Sequence, residues 1–322
     1  MSIDSRFRFS VFTATKNRAQ LLKRLYQQLK KQTFKDFEWI IVNDGSTDNT
    51  DEVVKDFISE NLLSIQYVSK QGGGKHTAWR VATNLFKGRY VVTADDDDPI
   101  TDDMLEIFNK HWCELEKSAL YDDFWEVRTR CEDTNGKLVG KELPSPIYDS
   151  DYNYVSYKLK VFCEMVGCRK VEVLRNAAAV TNKFIFMDDV SNFDEAIRWS
   201  RAARKYKTRF VSDITRIYNN TPNSLSSNVL KRCLEGEKRI IYNKMVEFYY
   251  TLTERKDILI KYNIKRYLKT LLGYSFLIAI IDSKSSALEG LSAIQKFVIC
   301  SILPCAKLYI KFSVKRNEYT HG

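Results

Sequence analysis

The sequence predicts an α/β fold, a mainly parallel sheet flanked by helices, followed by a helical C-terminal extension. Three observations carry this reading. Over roughly the first hundred residues, short apolar runs alternate with helix-period segments, the pattern of βαβ units. Clusters rich in Asp, Asn, Gly and Lys follow the apolar runs, where a parallel sheet places its ligand-binding loops. From about residue 229 onward the pattern is helical and rich in Lys and Arg.

The elements follow in order. FSVFT (9–13) reads as a buried strand, and Asn17 with Gln20 fits an N-cap and capping-box pair ahead of Leu21, Leu22, Leu25, Tyr26 and Leu29. EWIIV (38–42) is a second strand, and NDGSTDNT (43–50) is a turn that starts a helix carrying Val53, Val54, Phe57 and Ile58. IQYVS (65–69) is a third strand, QGGGK a loop, and about 75–87 a helix. RYVVTA (89–94) is a fourth strand that runs into four aspartates. WEVRTRCED and KLVG fit a hairpin around Asn135-Gly136, and 144–160 reads as a connector or an active-site loop. A helix over about 194–206 precedes the strand TRFVSD, and NNTPNSLSSN (219–228) reads as a linker. The expected domains are 1–222 and a helical, basic, partly amphipathic 223–322.

Composition narrows the function. The chain has 322 residues and a formal charge of +10, and from Glu254 to the end there are 12 basic and 5 acidic residues. A basic tail suits an anionic membrane surface or nucleic acid. A nucleic-acid binder would carry positive charge at the strand ends, where this chain is acidic. Seven cysteines lie scattered without metal-type spacing and read as reduced thiols of a cytoplasmic protein. MSIDSRFRFS has no apolar segment of the signal-peptide kind. LLGYSFLIAII (271–281) falls short of the roughly 20 residues of a spanning helix. The apolar segments 267–281 and 291–306, interleaved with Lys and Arg, and the four-apart Lys307, Lys311 and Lys315 suggest peripheral contact at the inner face of the plasma membrane, or packing on the catalytic domain or a second subunit.

The strand ends carry the chemistry. Carboxylates as dense as Asp95, Asp96, Asp97 and Asp98 repel one another unless a cation sits among them, and oxygen ligands favour Mg²⁺ or Mn²⁺ completed by phosphate oxygens. A solvated acidic loop is the competing reading. Asp44 either accepts hydrogen bonds from a nucleobase or ribose or forms an Asx-turn with Gly45 and Ser46. The loop Gly72-Gly73-Gly74-Lys75 permits close backbone approach to a ligand, with Lys75 supplying positive charge. It has neither P-loop nor GxGxxG spacing.

SVFTATKNR, VNDGS, GGGKHTAW and ADDDD, in that order and spacing, resemble the family 2 glycosyltransferases of the GT-A fold, of the bacterial surface-polysaccharide type. The resemblance is strong over roughly 9–115 and traceable to about 220. It implies an inverting, metal-dependent transfer of a sugar from a nucleotide-sugar, UDP being the nucleotide expected, to a glycan or lipid-linked acceptor. Ala14-Thr15-Lys16-Asn17 stands where the family commonly has Pro-Thr-Tyr-Asn, so the stacking aromatic is missing. Thr13, Thr15 and Lys16 fall among the nucleotide contacts, and Asp44 matches the family's base- and ribose-binding aspartate. Asp95 and Asp96 would face the donor, with Asp95 on ribose or metal-bound water, and Asp97 or Asp98 would bind the metal. Asp194-Glu195 followed by Arg201 resembles the family's acidic pair ahead of a helical Arg, with the acids swapped, which makes Glu195 the catalytic base with Asp194 beside it. Asp188 and Asp189 are its rivals, and helix-start carboxylates are the structural alternative. A nucleotidyltransferase is the second enzymatic reading, but TATKNRAQ lacks the glycine-rich turn it would need. A catalytically inactive sugar-nucleotide-binding relative is a third.

Overall fold

The computed structural model describes residues 5–161, 164–177, 195–218, 229–235, 237–281 and 286–320. The chain divides into two compact units, Met1–Val180 with Arg198–Asn220 and Thr181–Ile197 with Thr221–Gly322.

The first unit is built on one eight-stranded sheet. In chain order come β1 (Phe7–Thr15), α1 (Ala19–Lys31), β2 (Phe37–Asn43), α2 (Thr50–Glu60), β3 (Ser64–Ser69), α3 (Lys75–Leu85) and β4 (Gly88–Thr93). Then follow α4 (Met104–Glu116), β5 (Phe124–Asp133), β6 (Ile147–Ser150), β7 (Met165–Lys170), α5 (Val171–Ala177), α6 (Glu195–Ala202) and β8 (Lys207–Tyr218). The strand order is β3-β2-β1-β4-β7-β5-β8-β6. The first four strands are parallel to one another, whereas β7 runs antiparallel to both β4 and β5, and β8 is parallel to β5.

Alternate residues of the strands point to opposite faces, and both faces are covered. Phe9, Val11, Trp39, Ile41, Tyr90 and Val92 meet α1, α2 and α4 through Leu25, Tyr26, Phe57, Phe108 and Trp112. Phe12, Ile40, Val42 and Val91 meet the other layer through Trp79, Phe86, Leu174 and Trp199. This double burial explains why β1, β2 and β4 read as near-continuous apolar runs.

Three local expectations change. Asn17 does not cap α1. Its backbone is left-handed (φ +54°), Arg18 takes the cap position, and the Asn17 carboxamide accepts from Thr47 N–H at 2.7 Å. Short polar side chains tolerate this conformation, so Asn17 joins two turns instead of starting a helix. The hairpin around Gly136 (φ +75°) forms but is short, Asp133 N–H donating to Lys137 O at 2.8 Å and Val139 N–H to Cys131 O at 2.9 Å about the bridge Glu132–Leu138, because from Arg130 back β7 takes that edge of β5. The 144–160 connector contains β6 and a π-helical turn, Tyr154–Leu159.

The second unit is helical. It comprises α7 (Val229–Leu234), α8 (Lys238–Thr253), α9 (Lys256–Tyr262), α10 (Ile264–Ile281) and α11 (Ala293–Thr320). Gln295 pins α11 to its neighbours, its amide donating to Leu252 O at 2.8 Å and Tyr267 Oη at 3.1 Å. The Tyr274 hydroxyl donates to Ala287 O at 2.8 Å. The expected linker at 219–228 lies outside the described residues. The six described cysteines are free thiols.

Candidate active site

The carboxyl ends of β1, β2 and β4 lie side by side because the strands are parallel and in register, Thr15 opposite Asn43 and Phe12 opposite Thr93. The polar clusters that follow them are therefore forced together. Asn17 N–H donates to Ser46 Oγ at 2.8 Å, and Thr15 Oγ1 donates to Asp96 Oδ2 at 2.7 Å.

Asp44 is the first residue past β2 and is buried. Its Oδ1 accepts from Lys70 Nζ at 2.6 Å and its Oδ2 from Gly74 N–H at 2.7 Å. Burial works against its charge, but Lys70 and the Gly74 and Gly73 amides outweigh burial and hold the carboxyl below the usual aspartate range. The turn after β2 is held by Asn43 and not by an Asx-turn of Asp44, the Asn43 carboxamide accepting from Ser46 N–H, three residues on, at 2.9 Å. Asp44 is thereby left to organise the glycine loop. Gly45 has φ +78°, and a Cβ there would lie 2.8 Å from Gly72 N, so the two loops touch through backbone. A Cβ at Gly72 would stand 3.2 Å from Lys16 Nζ, which places exposed Lys16 beside the glycine loop. Gly74 (φ +90°) opens α3, whose first residue, Lys75, meets Asp95 Oδ1 at 2.7 Å. Lys16, Lys75 and the amino terminus of α3 thus give this rim an anion-receptive side.

The four aspartates do not point into solvent together. Asp96 is buried on Thr15 and on Arg18, 2.8 Å away. Burial dominates there and pushes its carboxyl up, against Arg18 and Thr15. Asp97 also meets Arg18 at 2.8 Å, but its side chain is 45% exposed. Arg216, from β8, meets Asp98 at 3.3 Å, Asp95 at 3.6 Å and Glu164 at 3.1 Å. The bridge between Ile100 and Arg216 runs the chain after the aspartates along β8 and brings this buried guanidinium to them. Burial opposes the Asp95 charge, yet Lys75, Arg216 and Arg18 lower its pKa.

The crowding is thus relieved by the protein's own cations. The trio Asp95, Asp97 and Asp98 does not converge on one point, and among the described residues no group of three or more His, Cys, Asp or Glu side chains is arranged to hold a metal. Each of the three proposed metal ligands is instead held by a cation, Asp95 by Lys75 and Arg216, Asp97 by Arg18 and Asp98 by Arg216. Asp97, half exposed, is the carboxylate of the four most open to solvent, and a hard divalent ion can take a single protein carboxylate and complete its shell with phosphate and water.

Thr13 is a second correction. It is fully buried, donating to Ala94 O at 2.7 Å and accepting from Trp39 Nε1 at 3.0 Å, so its hydroxyl serves the core and not a ligand. Thr13 and Thr15 share one face of β1, but Thr13 lies a pleat deeper, under Trp39, whereas Thr15 ends the strand and reaches Asp96. Glu195 is the first residue of α6, and its side chain, like Asp188, Asp189 and Asp194, lies outside the described residues. Trp199, which belongs to the first unit, lies under the Arg169 guanidinium at 4.0 Å and edge-on to Trp79 at 5.5 Å. Arg18, Lys70 and Arg216 were missed by the sequence reading. The NR dipeptide after β1 was a signal for Arg18, whereas nothing local marks Arg216.

Residues 10–168 match the profile described as glycosyl transferase family 2. Glycosyltransferase GlyA of Streptococcus pneumoniae is 28% identical over 149 residues, which is 46% of this chain and 21% of that protein. This chain therefore spans about a fifth of that relative's length. S. aureus TarS 1–349, solved in complex with UDP, superposes with a TM-score of 0.56 at 14% identity, over 98% of this chain and 92% of that one. The mannosyltransferase PcManGT of Pyrobaculum calidifontis, in complex with GDP-Man and Mn²⁺, superposes with 0.55 at 15% identity, over 98% and 88%. The profile match, the sheet order and the loops gathered at its carboxyl rim agree, and residues 10–168 form a family 2 glycosyltransferase domain, built on a GT-A fold.

Proposed function

We propose that this chain transfers a sugar, with inversion, from a nucleotide diphosphate donor to a glycan or lipid-linked acceptor in the making of a surface polysaccharide. The observation that carries this reading is the meeting of Asp44, the glycine loop and Asp95–Asp98 at one rim, with Lys16, Lys75 and a helix amino terminus beside them. Asp44 orients the base and ribose, with Lys70 fixing its charge. Thr15 and Arg18 hold Asp96 in place. Lys16, Lys75 and the α3 amides receive the diphosphate, on which negative charge builds as the sugar bond breaks. A divalent cation held by Asp97 would act as a Lewis acid toward that leaving group. Glu195, at the start of α6, takes the proton of the acceptor hydroxyl as it attacks the face opposite the leaving group. UDP is the nucleotide proposed, supported by the UDP complex of TarS, which shares the fold.

The test is thermal stabilisation by UDP-, GDP- and dTDP-sugars, with and without Mn²⁺. One nucleotide should stabilise strongly, and only with metal. Stabilisation by none of them would overturn the reading, and equal stabilisation without metal would overturn its metal-dependent part.

A further inference from the structure

Of the twelve large apolar side chains that are exposed among the described residues, eight fall between Ile260 and Tyr309. The four in the first unit are scattered singly, which is ordinary for a protein surface. Those in the second unit form rows. On α10, Ile264, Leu268 and Leu272 recur every four residues and lie along one line, while Leu271, Tyr274 and Ile278 face inward. On α11, Ile294 (77% exposed), Phe297 (74%) and Leu308 share a side, with Ile299, Leu303 and Ala306 buried behind them. Phe276, next in the α10 row, meets Tyr309 of α11 edge-on at 5.6 Å, so the two helices share an apolar surface.

The charge on and around the same helices is predominantly basic. From Ile260 to Lys311 there are eight basic residues and two acidic ones. Lys265 and Lys269 are exposed beside the α10 row, and Lys296, Lys307 and Lys311 are exposed on α11. At about 100° per residue these three fall along one edge of the α11 apolar row. Lysine stems can cover apolar surface while their ammonium groups reach outward.

We infer that α10 and α11 form a docking face for an anionic phospholipid bilayer, with the apolar rows entering the interface and the lysines meeting lipid phosphates. Charge selects this occupant over a second copy of the chain. A symmetric dimer would press the same lysine-rimmed patch against itself. The face lies along the bilayer and does not cross it. Ala293–Lys311 is long and apolar enough to span, with only 22% of it buried, but it contains Lys296 and Lys307. Gln295 also ties it to α8 and α10, and a spanning helix would have to break those bonds.

The test is flotation of the full chain with vesicles of phosphatidylcholine alone or mixed equally with phosphatidylglycerol. Wild type should bind the anionic vesicles far more tightly and be released by high salt. K296E/K307E should weaken that binding roughly thirtyfold or more, from about fivefold per lysine at an anionic surface. I294S/F297S should weaken binding to anionic vesicles about tenfold or more through lost apolar insertion. Both pairs are exposed, so circular dichroism and melting should stay at wild type. Equal binding to both vesicles, binding to neither, binding that survives alkaline carbonate, or a sedimenting dimer that I294S/F297S dissolves would each overturn the inference. Vesicle binding requires no donor, so a chain that docks but binds no nucleotide-sugar would sink the transfer reading and leave this one standing.

Discussion

Arg216→Met removes the one guanidinium that faces Asp95, Asp98 and Glu164 together, while keeping most of the buried stem. At an effective dielectric of about 20, a unit charge pair at the 3.3 Å of Arg216–Asp98 is worth about 5 kcal/mol before desolvation. Losing one partner of such a buried cluster costs about 3–5 kcal/mol net. For a unit of this size that lowers the melting temperature by roughly 6–20 °C. All five tryptophans, Trp39, Trp79, Trp112, Trp125 and Trp199, lie in the first unit, so tryptophan fluorescence reports its unfolding alone. The pH dependence gives a second readout. The pKa of Asp95 is lowered in the folded state, so its stabilisation is present above the unfolded value, about 3.9, and is lost as pH falls through the folded one. Without Arg216 that loss on acidification should be shallower. Mn²⁺ should recover part of the stability if Asp98 and its neighbours can take a cation instead. A variant within about 1 kcal/mol of wild type, with unchanged acid sensitivity, would show that Arg216 does not hold the acidic loop.

Four further outcomes are expected. Asp44→Asn keeps the shape and can still accept from Gly74 N–H, but loses the charge that fixes Lys70; calorimetry should show nucleotide affinity falling about tenfold or more, from a lost charge-assisted bond of about 1.5–3 kcal/mol. Gly45→Ala forces a left-handed alanine whose Cβ sits 2.8 Å from Gly72 N, so tryptophan melting should show a loss of about 1–2 kcal/mol or more. Glu195→Gln should retain donor binding and cut transfer by about 10²–10⁴-fold; normal transfer would remove Glu195 from the mechanism. Burial pushes the Lys170 amine down to about 8, so stability should rise with pH between there and its unfolded value, about 10.4; in Lys170→Met that rise should flatten, and an unchanged urea-midpoint profile would refute it.

Much of the fold was legible because it rests on local periods. β1, β2, β3 and β4 and the helices between them follow from apolar runs and helix-spaced leucines and valines, each set by its own neighbours in sequence. The site was legible as three polar clusters for the same reason, since parallel strands carry their carboxyl ends to one edge. Sequence reasoning faltered where a side chain's partner is remote. Asn17 fits a helix cap by spacing, but Thr47 holds it; Asp44 fits either a nucleotide contact or an Asx-turn, and only remote Lys70 and Gly74 decide its place; Thr13 fits a ligand contact, but Trp39 and Ala94 close over it.

By itself, then, the sequence determined that acids, glycines and lysines would collect at the rim of a mainly parallel sheet, because side-chain alternation and strand–helix order are properties of short segments. Only the tertiary structure decided which charges neutralise which. The order β4-β7-β5-β8 sets Arg216 against Asp95 and Asp98, and the pairing of β1 with β4 sets Arg18 against Asp96 and Asp97. Coulomb energy depends on distance through space, and distances between segments far apart in the chain are fixed by sheet order and not by spacing in sequence.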